Sequence, residues 1–536
     1  MTSPSSSISS APSRSLGKDF VAGFLVFLIA LPLCLGIAMA SGFPPAAGVL
    51  TAIVGGVVVN FLGSAQLTIK GPAVGLIVVA LGAVTELGHG DMMAGYRYAL
   101  AVGVVAAVIQ IVLALVRAGW AGAALPPAVV HGMLAAIGIS IIAKQAHTAL
   151  GVAPENQATL ALLFEIPSSV VHANPEIALI GLVSLVILFG FPLLRRRVAR
   201  LEKVPAPIVV LLVAVALGYA FDLEHAHYHR VLGGELHIGP EYLVHLPGSR
   251  IDAIALPDFS QITSPTSIKY IVMFALVGSI ESTLSVIAVD TLDPAKRASN
   301  LNRDLLVVGV GNLLASAIGG LPMISEIVRS KANIEAGATS RFANFFHGLL
   351  MLGCVASLPM VLQHVPLAAL AAMLVYVGSQ LVAPTESRHT GELGWERLVL
   401  FLITLFATLA TDLLIGVGVG LALKVGLDRA RGVPLATLLR GDLQVEPGAG
   451  ELRLVFRHAA TFSSLPSVQR AVERMPEDIA RVIVDVRGVK LVDHTFLARV
   501  RQLSEEWPHT ELVVVGLPPT VLEHADERHG STDRRE

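Results

Sequence analysis

FALVGSIESTLSVIAVD, from Phe274 to Asp290, and GVGNLLASAIGGLPMISEIVRSKANIEAGA, from Gly309 to Ala338, decide how the chain is read. Two carboxylates, Glu281 and Glu326, lie in segments otherwise apolar enough to sit inside a bilayer. An ionisable group at that depth is expensive unless paired or hydrated, so it marks a functional site. Between them Gly319-Gly320-Leu321-Pro322 ends one helical pattern and opens another, and Arg329 follows Glu326 within one turn. A broken helix whose N-terminal end is aimed inward at membrane depth offers free N–H donors to an anion. The stretch reads as half of a transport site, with the other half expected earlier in the chain.

The rest of the composition agrees. Of 536 residues, 54% are hydrophobic and 15% charged, far more apolar sequence than a soluble chain of this size needs. A net charge of -2 argues against nucleic acid as a partner. Cys34 and Cys354 both fall in apolar segments, which suits buried thiols rather than a disulfide framework. Residues 1–17 are Ser/Pro-rich and read as a disordered tail without a signal-peptide cleavage site.

A spanning helix needs about 20 apolar residues. Long spans are expected near 20–40, 46–63, 93–117, 129–147, 176–194 and 206–221, then near 267–289, 303–319, 341–361, 366–383, 396–410 and 412–427. Two shorter pieces, 72–87 and 325–337, follow Gly-Pro and Leu-Pro breaks, which makes about fourteen segments in all. The basic stretches Arg195–Lys203 and Lys296–Arg303 are expected in the cytosol, as is the N-terminus behind Arg14 and Lys18, and 222–266 falls outside. The span ending at Gly71-Pro72-Ala73 is echoed by the one ending at Gly319–Ser325, and Leu125–Leu134 by Val365–Leu374. With seven segments per half such a repeat is inverted across the membrane, 18–221 against 267–428.

After Leu427 charges become frequent. Glu451–Phe456 alternates as a strand, Ala480–Val486 and Leu512–Gly516 read as buried strands, and Phe496–Trp507 has helical spacing. A small soluble α/β domain is expected over 429–525, with 526–536 a disordered tail.

Several motifs carry a family resemblance. Leu31-Pro32 with ASGFPPAAG at 40–48, Gly71-Pro72-Ala73, Asn312–Gly337 with its Arg329-Ser330 pair, and TDLLIGVGVG at 411–420 resemble, in order, motifs of the sulfate permease (SulP) anion transporters. Ile483–Val486 with Val492–Thr495 resembles the STAS domain that usually follows. The resemblance implies two inverted seven-segment repeats sorted into a core and a gate domain. It places the substrate between the facing N-termini of the third and tenth helices. Glu281 falls at an acidic or polar eighth-helix position, and Ser285 matches a hydroxyl that helps bind Na⁺ in Na⁺-coupled bicarbonate members. Ser325, Glu326 and Ile327 depart from the small and hydroxyl residues of those members, and Lys70 before the break is unexpected. His494 stands where signalling relatives of the STAS domain carry a phosphorylated Ser.

On this reading the anion, bicarbonate or sulfate, is held at Gly71, Pro72, Ala73, Ser325, Glu326 and Arg329, chiefly by backbone amides near Ala73 and Ser325. Arg329 either adds charge to that site or pairs with Glu326. Glu281, Ser285 and Glu326 are the ion-coupling candidates, with Glu281 binding a proton on one face and releasing it on the other. Glu326 either stabilises the helix dipole from its N-terminus or repels the anion until it is protonated or paired with Lys70, the modulating group. The coupling ion is H⁺ or Na⁺, with a passive channel as the rival on the same fold. No cofactor, metal or enzymatic residue set is indicated. The expected partners are the bilayer and a second copy of the chain, with a STAS contribution, in a bacterial inner membrane. His225-Ala226-His227-Tyr228-His229 reads as a solvated loop rather than a metal site. His131 and His347 read as packing residues, and Gly416, Gly418 and Gly420 as helix contacts.

Overall fold

The computed structural model describes residues 15–117 and 125–430 apart from 157, 196, 199–203, 232–233, 245–253, 296, 298, 358–362 and 383–394, and parts of 434–517. Residues 1–14 of the N-terminal tail, the C-terminal tail, His494 and most of Phe496–Trp507 therefore lie outside the described residues.

The first half runs α1 (Leu16–Ala40), α2 (Pro45–Ile53), β1 (Ile69–Pro72), α3 (Ile77–Gly88), α4 (Met92–Leu115), α5 (Pro127–Ala149), α6 (Thr159–Val171), α7 (Pro175–Arg195) and α8 (Ala206–Ala220). A hairpin follows, β2 (His227–Val231) with β3 (Gly234–Ile238). The second half runs α9 (Pro265–Leu292), α10 (Leu301–Ala317), β4 (Met323–Glu326), α11 (Ile327–Glu335), α12 (Phe342–Ser357), α13 (Leu367–Val382), α14 (Trp395–Ala410) and α15 (Leu413–Ala430). Among the described residues α1, α4, α5, α7 and α9 are each long and apolar enough to cross a membrane alone. The helix α6 was not expected; Pro167 interrupts its apolar run, which kept it below the spanning criterion. The first helix starts at Leu16, capped by Ser15, inside the stretch read as a tail.

The two halves use their elements alike. In one, α1 packs on α11 and α12; in the other, α9 packs on α3 and α4. The breaks foreseen at Gly71-Pro72 and Leu321-Pro322 do more than end helices. They extend into β1 and β4, which pair antiparallel with Ile69 opposite Glu326, Lys70 opposite Ser325, Gly71 opposite Ile324 and Pro72 opposite Met323. Each strand then leads directly into a short helix, α3 or α11. Because the strands are antiparallel, the two helices run in opposite senses from one crossing point.

Close backbone approach makes room for the crossing. After Ile53 the α2 helix widens into a π turn, Val54–Val58. A Cβ on Gly55 would lie 2.6 Å from the Lys70 carbonyl, and one on Gly56 2.6 Å from Gly348 Cα. Gly319, at φ +102°, turns the chain out of α10, and its carbonyl accepts from the Tyr96 hydroxyl at 2.7 Å. Gly416 abuts Thr408, as helix packing requires, whereas no described atom lies within 4 Å of a Cβ on Gly418.

The C-terminal unit is a mixed sheet with strand order β10 (Glu511–Val515), β8 (Arg481–Asp485), β6 (Glu451–Phe456) and β5 (Leu443–Pro447), beside a short parallel pair, β7 (Ala459–Ala460) and β9 (Leu491–Val492). Only β5 is antiparallel to its neighbour. Leu452, Leu454 and Phe456 alternate inward and join Val468, Val472, Val482, Val484 and Phe496 in one core. Asp485, at the end of β8, is bonded by Arg487 (2.6 Å) and Arg453 (3.0 Å). The Arg487 hydrogen bond, the main cause, holds its carboxyl below the usual carboxylate range.

Two outcomes follow from these contacts. A Cβ on Gly48 would meet the Cys34 carbonyl at 2.0 Å, so Gly48→Ala should sharply reduce monodisperse protein on size exclusion, with Gly418→Ala behaving as wild type. A depressed carboxyl stabilises the fold above its unfolded pKa and loses that effect as pH falls through its folded pKa. Asp485→Asn should therefore weaken amide protection of β8 and β10 at neutral pH, and the difference from wild type should vanish in acid.

Candidate functional site

The crossing leaves little of its backbone unpartnered. Ile69 N–H donates to Ser330 Oγ (2.8 Å), and Lys70 N–H to Asn344 Oδ1 (3.4 Å). On the other strand Met323 N–H donates to Asn312 Oδ1 (2.5 Å), while Asn312 Nδ2 donates to the Met323 carbonyl (3.1 Å) and to Gln110 (2.8 Å). Thr51 donates to the Leu321 carbonyl at 2.9 Å. Hydrocarbon supplies no water for broken backbone, so buried Asn, Ser and Thr side chains take that place.

The two amides expected to hold an anion are already used. Ala73 N–H donates to the Pro322 carbonyl (3.1 Å) and Ser325 N–H to Ser282 Oγ (3.1 Å). The donors move one and two residues along, to Val74 and Gly75 at the entry to α3, which has no side-chain cap of its own turn. Both amides face carboxylates. Val74 N–H donates to Glu326 Oε1 at 3.2 Å, and Gly75 N–H donates to Glu281. A Cβ on Gly75 would sit 2.2 Å from Glu281 Oε1 and 2.4 Å from Oε2. Glu281 Oε2 is buried and has no hydrogen-bond partner among the described residues. Thus Glu281 from α9 and Glu326 from β4 converge on the helix end that the sequence assigned to the anion.

Arg329 completes the group. It is 1% exposed, and its hydrogen bond goes to Cys34 Sγ (3.5 Å) rather than to Glu326. Its Nη1 lies 2.4 Å from where a Cβ on Gly71 would stand, and its Nη2 has no partner among the described residues. A buried guanidinium with a spare donor, over a glycine and beside a helix terminus, can bind an oxyanion. Ser285 is buried one turn beyond Glu281 on α9.

Lys70 is the clear correction. It does not pair with Glu326; its Nζ lies 3.0 Å from Asp304 Oδ1. Strand geometry is the reason. Paired residues share a face and faces alternate, so Lys70 and Ser325 point to one side of the ladder, Gly71 and Glu326 to the other. The Ser325 hydroxyl accordingly donates to Asp304 Oδ2 (3.0 Å). Asp304 was missed because it reads as an ordinary acidic residue in the first turn of a helix capped by Asn300. Elsewhere, His227 and His229 lie in β2 and His225 bonds Asp222 at 2.7 Å. His347 is fully buried in α12, with both ring nitrogens unpartnered among the described residues, and His131 lies in α5.

Residues 16–404 match the model of the sulfate permease family. The chain belongs to that family. The sulfate permease relatives include YvdB of Bacillus subtilis, 28% identical over 76% of this chain and 72% of its own. The bicarbonate transporter BicA of a Picosynechococcus species is 23% identical over 76% and 69%. Among solved structures, the transmembrane domain of a cyanobacterial BicA superposes with a TM-score of 0.63 at 21% identity, covering 75% of this chain and 97% of that one. Murine Slc26a9, an anion transporter captured inward-facing, gives 0.66 at 17% identity over 95% and 86%. The fold is thus that of the sulfate permease transporters, and the C-terminal α/β unit fits a STAS domain. As a member of the family the chain is an inorganic anion transporter and not an enzyme.

The Gly75 contact gives a direct test. Gly75→Ala should displace the Glu281 carboxylate and cut anion uptake into proteoliposomes by roughly tenfold or more while the protein stays monodisperse. Wild-type uptake in that variant would mean that Glu281 does not work from this position.

Proposed function

We propose that the protein is a secondary active transporter of bicarbonate or sulfate, working by alternating access and coupled to protons through Glu281. The observation that supports this most is the docking of two carboxylates on consecutive amides at the start of α3. An anion approaching those donors meets two negative charges. A proton arriving on Glu281 removes one of them and frees Gly75 N–H, so anion and proton are best bound together. Arg329 then supplies a full positive charge from the α11 side, and Glu326 remains as the group whose charge tunes the site. Weak, reversible binding by helix termini suits a site that must release its ligand on the far side.

Na⁺ is the second reading. The spare Oε2 of Glu281 and the hydroxyl of Ser285 one turn away are oxygen ligands of the kind a hard cation takes. The basic stretches Arg195–Lys203 and Lys296–Arg303 support a cytosolic N-terminus and α/β domain in a bacterial inner membrane. The family resemblance extends the proposal to a homodimer with a contribution from that domain.

The experiment is uptake of radiolabelled bicarbonate, sulfate and succinate into proteoliposomes with a pH gradient, a Na⁺ gradient or neither. Accumulation of one anion under the pH gradient, reduced roughly tenfold or more in Glu281→Gln, is the expected result. Accumulation that follows Na⁺ would replace H⁺ by Na⁺ at the same carboxylate. Downhill flux alone, unchanged in the variant, would make the protein a channel and Glu281 structural.

A further inference from the structure

The face of the β1–β4 ladder turned away from Glu326 carries its own charge cluster. Lys70 Nζ lies 3.0 Å from Asp304 Oδ1 and 3.1 Å from Thr68 Oγ1. Ser325 Oγ donates to Asp304 Oδ2 at 3.0 Å. Lys70 is 2% exposed, Asp304 1% and Ser325 0%. The two oxygens of one carboxylate are therefore divided between the strands, Oδ1 to β1 through Lys70 and Oδ2 to β4 through Ser325. These two residues are register partners, so Asp304 spans the ladder at one rung.

Each partner also stands next to a residue of the anion site. Ser325 precedes Glu326, and Lys70 precedes Gly71, over which Arg329 lies. In a strand, fixing one side chain on one face fixes the direction of the next on the other. Fixing Ser325 thus aims Glu326 at the Val74 amide, and fixing Lys70 holds the Gly71 backbone against the guanidinium. A four-residue two-stranded ladder is marginal by itself, so its register must be held from outside. Asn312 and Asn344 each hold one strand; Asp304 is bonded to both.

We infer that Asp304 is a positioning residue for anion binding: through Lys70 and Ser325 it sets the register of the crossing, and thereby the geometry of Glu326 and Arg329, without touching the anion. This rests on the reading of the site given above. Lys70 serves as the counter-charge that lets a carboxylate stay buried at this depth, and it contributes no charge to the anion face.

A buried ion pair that merely stabilises the fold would show the same distances, so the test separates the two. Lys70→Met/Asp304→Leu replaces the pair by apolar side chains and leaves no buried charge unpaired. Ser325→Ala is made in wild type and in that double variant, with the KM for anion uptake, the maximal rate and the Tm read for each. The double variant should keep its Tm within a few degrees yet raise KM by about tenfold, with a smaller change in maximal rate. Ser325→Ala should raise KM alone but add less than about twofold in the double variant, because its route through Asp304 is already gone. Wild-type KM in a folded double variant would overturn the inference, as would an equal effect of Ser325→Ala in both backgrounds, which would mean that Ser325 contacts the anion itself. Should the double variant not fold, Asp304→Glu moves the carboxylate by one methylene and keeps its charge; a folded Asp304→Glu with wild-type KM overturns the inference equally. Loss of pH-coupled uptake in Glu281→Gln beside an additive cycle would leave the proposed function standing and remove only this device.

Discussion

Everything in the membrane part of this chain depends on one requirement: a backbone broken inside hydrocarbon has no water to bond. Two helices are interrupted at depth, and the interruptions satisfy each other by pairing as β1 and β4. The remaining donors and acceptors go to Asn312, Asn344, Ser282, Ser330 and Thr51, each supplied by another element of the same unit. A helix start built this way keeps a few amides free of helical bonds, and those amides are where charge gathers. The fold's weakest place and its chemistry coincide for that reason.

The charges at the crossing divide by strand face. Glu326 and Gly71 belong to the face that meets Glu281 and Arg329, Lys70 and Ser325 to the face that meets Asp304. One face gathers two carboxyl groups, Glu281 and Glu326, beside the buried Arg329. The other is balanced within itself. On the proposed reading, one surface exchanges ligands while the other keeps the strands in register.

Much of this was legible in the sequence. The apolar runs gave the spans, and the Gly-Pro and Leu-Pro breaks gave the two half-helices, because proline removes a donor and glycine permits the turn. Glu281 and Arg329 stood out because charge is rare in such segments. What could not be read was the pairing of the two breaks, since nothing local marks strands from opposite halves of the chain as register partners. For that reason the sequence offers Glu326 and not Asp304 as a partner for Lys70, and does not single out Val74, Gly75 or Asp304. Without the register there is no way to know which face a side chain takes. The helix α6 escaped because its run is short and holds Pro167.

On the proposed mechanism, anion and proton bind together at the start of α3. Its most direct test follows protons rather than substrate. Proteoliposomes containing a pH-sensitive dye would be given an inward sulfate gradient with no pH gradient and no Na⁺, and labelled sulfate counted in parallel. Sulfate entry is expected to acidify the lumen, and Glu281→Gln to abolish the acidification. Entry of labelled sulfate at the wild-type rate with no change in lumenal pH would contradict it.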